Sequence, residues 1–172
     1  EHPNILDGRD LEAGGTWMGV TRSGRISLVT NYRDPKNIDP KAPSRGRLVS
    51  DYLLRQDDPD TYLKELIERA DRYNGFNLIV GEVDNLSYYS NYDTKIRKLD
   101  KGIYGLSNHL LDTPWPKVQK GKAKFAELIK SPNLEAEQLL DMMYDEERAS
   151  DAHLPDTGIG IEREKALSSM FI

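Results

Sequence analysis

The chain has 172 residues, enough for one ordinary domain and few for two, and its 37% hydrophobic content is too rich in Leu, Ile, Val and Tyr for a wholly disordered polymer. With 24 Lys plus Arg against 29 Asp plus Glu, the formal charge of -5 argues against nucleic acid or an anionic membrane as the main partner. Cysteine is absent, which excludes a disulfide framework, a thiolate metal site and a Cys nucleophile within this stretch. No apolar run approaches a membrane span, and the start lacks a signal-peptide pattern. The chain therefore reads as a single cytoplasmic domain over 1–172 with no stable membrane insertion. Its first residue is Glu1 rather than Met, which reads as a fragment or a processed product.

In chain order, Thr16–Thr21 and Arg25–Thr30 read as a β-hairpin closed by Gly24. Three prolines, at 35, 40 and 43, mark a loop over 32–44. Gly46–Arg55 carries Leu48, Val49, Tyr52 and Leu53 at helical spacing. A second helix starts at Asp58–Pro59, an acceptor for free amides followed by a residue suited to the first turn, and is expected to run to Asn74–Gly75. Glu65 with Arg69 and Glu68 with Arg72 are spaced for ion pairs along it. Phe76–Val83 and Leu86–Tyr92 predict a second hairpin, and Gly102–Asn108 a short extended run. Helices are expected over 116–130 and 134–148, a loop over 149–161, and a strand over 166–172. Strands and helices in separate runs give an α+β fold.

Most motif searches fail. There is no dinucleotide fingerprint and no phosphate loop, and the three histidines at 2, 109 and 153 do not form a zinc pair, so no metal is expected. The lysines at 117, 120, 122, 124 and 130 read as the wet face of a helix before they read as a phosphate site. The tyrosines at 88, 89 and 92 suit a stable hairpin or a stacking platform. Three stretches are more specific: Gly8–Trp17, Leu28–Arg33 and Tyr104–Asn108. In the last two, Asn31 and Asn108 end an extended apolar run. A carboxamide held there offers two N–H donors to a developing oxyanion, or simply turns the chain.

Together with Tyr73-Asn74-Gly75-Phe76-Asn77-Leu78 and Leu111-Asp112-Thr113-Pro114-Trp115, these stretches resemble the NRDE family, also called the transport and Golgi organisation protein 2 family, over essentially the whole chain. Members of that family extend further at both ends. They begin with a Cys after the initiator Met and an Asn-Arg-Asp-Glu motif, and they end with a Tyr-Gly-Thr-Arg motif followed by two strands. The resemblance implies a four-layer αββα sandwich of the N-terminal nucleophile hydrolase type, here incomplete at both ends. It also implies a Cys-dependent amide (C–N) hydrolase acting on a small molecule, inactive in this piece. Asn31 and Asn108 correspond to oxyanion or substrate-positioning residues, and Gly14, Gly15 and Trp17 would shape the entrance. The alternative it implies is a non-enzymatic carrier of haem or a lipid, with Trp17, Tyr32, Phe76 or Trp115 lining the pocket. No bound cofactor is expected beyond such a carried haem.

Overall fold

The computed structural model describes residues 2–171. The fold is α+β. Six strands, β1 (Ile5–Arg9), β2 (Thr16–Thr21), β3 (Arg25–Asn31), β4 (Phe76–Glu82), β5 (Asn85–Ser90) and β6 (Arg97–Leu99), form one antiparallel sheet in sequence order. The helices are α1 (Gly46–Leu54), α2 (Pro59–Ile67), α3 (Pro116–Leu128), α4 (Ala136–Met143) and α5 (Ile161–Ala166). Two compact units are present. The first comprises residues 1–33, 37–102 and 108–110, and holds the sheet with α1 and α2. The second comprises residues 34–36, 103–107 and 111–172, and holds α3, α4 and α5.

In the first unit α1 lies over β2 and β3 and α2 over β5, so one face of the sheet is covered. Side chains alternate across a strand, and the register puts Val29, Phe76, Leu78, Val80 and Tyr89 on that covered face. They meet Leu48, Val49, Tyr52 and Leu53 of α1 and Tyr62, Leu63 and Leu66 of α2 in a core that is almost fully buried. The Tyr62 hydroxyl is satisfied inside it by donating to the Leu48 carbonyl at 2.7 Å. Asp58 caps α2 as expected, accepting from Thr61 N at 3.0 Å.

Several expectations need correction. α2 stops at Ile67 and is followed by a 3-10 turn at Ala70–Arg72 rather than running to Asn74. Glu65 meets Arg55 at 2.8 Å instead of lying along a continuous ladder. Gly102–Asn108 forms no strand, and 103–106 has no ladder partner. The expected strand over 166–172 is the end of α5 followed by a turn through Met170, with Ile172 outside the described residues. The helix expected over 134–148 runs only over Ala136–Met143; a capping box, in which Glu135 N donates to Gln138 Oε1 at 2.9 Å, sets its start. Strands β1 and β6 were not anticipated, since Ile5–Arg9 and Arg97–Leu99 are mostly polar and exposed and show no alternation. Among the described residues no helix is long and apolar enough to cross a membrane.

Candidate functional site

The site begins where β3 ends. Asn31 lies opposite Phe76, and Tyr32 N carries the ladder one step further by donating to Gly75 O at 2.9 Å. Arg33 N then points to the other side of the strand and donates to Asn108 O at 2.7 Å. The Asn108 carboxamide donates back to Asn31 O at 3.2 Å, across 77 residues of sequence. Asn108 thus sits beside the end of β3 in an irregular segment, held to it by one main-chain and one side-chain bond. The alternation that buries Val29 places the Asn31 side chain on the helix-covered face. There its Oδ1 is buried with no hydrogen-bond partner. An orphaned buried acceptor costs about 1–3 kcal/mol, so this corner holds polarity that the described residues leave unused.

The glycines occupy a corner of their own. In the β1–β2 connection Asp10 N donates to Gly15 O at 2.8 Å and Gly14 N to Asp10 O at 2.9 Å, while Gly14 adopts φ +76°. A side chain at Gly15 would put its Cβ 2.4 Å from the Gly46 carbonyl carbon, so only glycine allows this connection to sit on the first turn of α1. The next residue back, Arg45, reaches from that turn to Gly75 O at 2.9 Å, the same carbonyl that accepts from Tyr32 N. The glycine corner and the end of β3 are thereby linked through one guanidinium. Burial pulls the Arg45 pKa below its usual value, which marks a cation partly withdrawn from water.

The opposite face carries aromatic and amide groups. Tyr32 stacks on Tyr92 with centroids 3.9 Å apart, and its hydroxyl lies 2.8 Å from His109 Nε2. Gly75 makes the stack possible, because a Cβ there would come within 2.9 Å of the Tyr92 ring. Burial lowers the His109 pKa and favours the neutral imidazole. Beside it, Asn77 donates to His109 O at 3.0 Å and to Thr30 Oγ1 at 3.1 Å, while the Tyr88 hydroxyl donates to Asn77 Oδ1 at 2.8 Å.

Of the residues singled out from sequence, the first unit brings together Asn31, Asn108 and Tyr32, and joins Gly14 and Gly15 to them through Arg45. Trp17 stands on β2 with 48% of its surface exposed. Trp115 belongs to the second unit, where it precedes α3. Phe76, expected in a carrier pocket, is sealed in the core under the helices. The three tyrosines divide their tasks: Tyr89 joins the core, Tyr88 bonds Asn77, and Tyr92 stacks on Tyr32. Sequence reasoning missed Arg45, Asn77 and Asn91. The available signal was an amide inside or just after an apolar strand, where such residues are disfavoured unless bonded. Asn91 meets that condition by accepting from Phe76 N at 2.9 Å and donating to Ala70 O and Tyr73 O.

In the second unit the lysines are engaged by acids or carbonyls. Lys120 and Lys124 share Asp145, whose pKa they hold far below the usual carboxylate range, Lys122 meets Asp112 at 2.6 Å, and Lys117 donates to Leu167 O at 2.8 Å. Lys124 and Lys130 are exposed, as expected of a wet face, whereas Lys117, Lys120 and Lys122 are half-buried. A cavity of about 250 Å³ in the same unit is lined by Tyr104, Val118, Phe125, Met142, Met143 and Met170 among others. Among the described residues no three His, Asp or Glu side chains gather as a metal site would require.

A family model described as Transport and Golgi organisation 2 matches residues 1–172. The Transport and Golgi organization 2 homolog of Mus musculus is 39% identical over 169 residues, covering 90% of this chain and 59% of the relative. The Homo sapiens homolog is 38% identical over 165 residues with the same shares, and the Drosophila melanogaster protein is 29% identical over 145 residues, 74% of this chain and 50% of its own length. The chain thus spans less than two thirds of the relatives it matches. It belongs to the Transport and Golgi organisation 2 family.

Proposed function

We propose that the full-length protein hydrolyses a C–N amide bond of a small molecule, and that Asn31 and Asn108 hold the carbonyl oxygen while it becomes an oxyanion. The observation that carries this reading is the bond from the Asn108 carboxamide to the main-chain carbonyl of Asn31, 77 residues away in sequence, at the end of one strand. A strand end fixes donors in advance of the reaction, so they need no reorganisation when charge develops. One N–H of Asn108 is used on Asn31 O, which leaves its second for substrate.

In the reaction, a thiolate attacks the carbonyl carbon and the C=O electron pair moves onto oxygen between the two amides. The C–N bond then breaks as the leaving nitrogen takes a proton, giving an amine and a thioester. Water cleaves the thioester to a carboxylic acid and restores the thiol. The thiol is that of the N-terminal Cys of the family pattern, with its α-amino group as base, supplied by sequence outside this chain. The αββα sandwich is proposed for the full-length protein on the same footing.

The test is release of p-nitroaniline from acetyl- and hexanoyl-p-nitroanilide by full-length protein. Asn31→Ala and Asn108→Ala are each expected to lower kcat about 10²–10³-fold, roughly 2.7–4 kcal/mol. No release by the wild type, or wild-type turnover in both variants, overturns the reading. A second reading, a carrier of an apolar ligand such as haem or a lipid, draws on the methionine-rich cavity of the second unit, since methionine adapts to irregular apolar shapes. It predicts a stoichiometric shift of the haem absorption band on titration with full-length protein, independent of the Cys; an unshifted band rejects the haem version.

A further inference from the structure

An asparagine in the middle of a central strand is a poor choice unless its polar atoms are all bonded. Asn77 lies between Phe76 and Leu78 on β4 and is fully buried. Two of its partners are neighbours on the same face of the sheet: Thr30, directly opposite on β3, and Tyr88, one pair further along on β5. The third, His109 O, comes from outside the sheet, 32 residues along the chain. The His109 carbonyl can only accept, so the carboxamide must turn its nitrogen towards it and its oxygen towards the Tyr88 hydroxyl, which donates at 2.8 Å. Its nitrogen is then aimed at Thr30 and His109.

We propose that Asn77 is a positioning residue: it pins the main chain of His109 to the sheet and so fixes the direction of the adjacent Asn108 carboxamide, with Tyr88 holding the Asn77 oxygen on the other side. The segment is held on both sides of Asn108. Arg33 N takes the Asn108 carbonyl at 2.7 Å, and Asn77 takes the next carbonyl at 3.0 Å. Two consecutive main-chain carbonyls, one fixed from the segment that follows β3 and one from β4, leave the peptide between them little freedom. The Tyr32–His109 pair at 2.8 Å anchors the same residue through its ring. The functional half of the proposal rests on Asn108 acting on substrate as described above; the positional half does not.

The experiment uses full-length protein and three readouts. In the wild type, nuclear Overhauser contacts are expected between the Asn77 carboxamide protons and the main chain of residues 109–110. Asn77→Asp keeps the shape and the acceptor for Tyr88 but turns an oxygen towards His109 O. It is expected to speed hydrogen exchange of the 108–111 amides at least about tenfold, while the β3–β4 ladder amides change less than about twofold. On hexanoyl-p-nitroanilide it should lower kcat at least about tenfold with KM within about twofold, as loss of a transition-state contact requires. If Asn77→Asp does not fold, Tyr88→Phe, which keeps the ring and removes the bond that steadies the Asn77 oxygen, should show the same pattern of exchange and kcat at about threefold. Absence of the wild-type contacts, or exchange that rises evenly through the sheet, overturns the proposal. Local exchange with unchanged kcat overturns its functional half. A wild type that hydrolyses neither anilide defeats the hydrolase reading, and the exchange pattern still decides the position of Asn77.

Discussion

The two faces of the sheet treat buried polarity in opposite ways. On the face covered by α1 and α2, Arg25 Nε, Ser27 Oγ and Asn31 Oδ1 of β3 and the Tyr52 hydroxyl of α1 are buried without hydrogen-bond partners among the described residues. Arg25 is 95% buried; its guanidinium lies 4.1 Å from the Tyr52 ring centroid and donates to Tyr52 O at 3.2 Å. On the other face Thr30, Asn77, Tyr88, Tyr32 and His109 bond one another in a connected set. The helix-covered face owes its stability to apolar packing that tolerates a few orphans. The opposite face is held by directional bonds that reach the main chain next to Asn108, whereas the Asn31 carboxamide lies on the helix-covered face.

The largest effects test whether the two faces are equally indispensable. Leu78→Ala empties a fully buried position under the helices and is expected to cost about 2–5 kcal/mol in denaturant unfolding. Its neighbour Asn77→Leu, although more hydrophobic, removes the bonds to the Tyr88 hydroxyl and the His109 carbonyl and is expected to cost about 2–4 kcal/mol. A neutral or stabilising Asn77→Leu breaks the contrast. Gly15→Ala, forced against the α1 backbone, is expected to cost about 1–3 kcal/mol through overpacking.

A smaller effect depends on pH. The His109 pKa is lowered by burial from 6.5, so the unfolded chain binds its proton more readily than the folded one. Its contribution to stability is therefore whole above about pH 6.5 and is lost as pH falls from there through the folded value. Tm measured against pH should fall less steeply in that window for His109→Gln than for the wild type; parallel curves contradict the assignment. The smallest effect belongs to the tolerant face. Ser27→Ala removes an orphaned hydroxyl and is expected to leave stability unchanged or raise it by up to about 1 kcal/mol. A clear loss would mean that the oxygen has a partner, such as an ordered water.

Much of the framework was legible because its signals are local. Alternation with a glycine turn marks β2 and β3, Asp58–Pro59 marks the start of α2, and Asn31 and Asn108 stand out as amides closing apolar runs. The apolar order of Phe76–Glu82 likewise marks β4, but the same pattern hid Asn77, whose bonds reach to residues 30, 88 and 109. Arg45 was equally invisible, since its acceptor is a main-chain carbonyl 30 residues away. The strand expected over 166–172 failed for a related reason: a short apolar run serves a turn as well as a strand, and only its surroundings choose. Propensity and spacing report on neighbours in sequence, whereas this site is made by contacts across the sheet.

The most direct test of the account is the kcat of full-length Asn108→Ala on hexanoyl-p-nitroanilide, measured beside its thermal stability. A fall of about 10²–10³-fold with Tm within a few degrees of the wild type is the predicted result. Unchanged turnover in a well-folded variant would contradict the claim that the end of β3 is where the amide carbonyl is held.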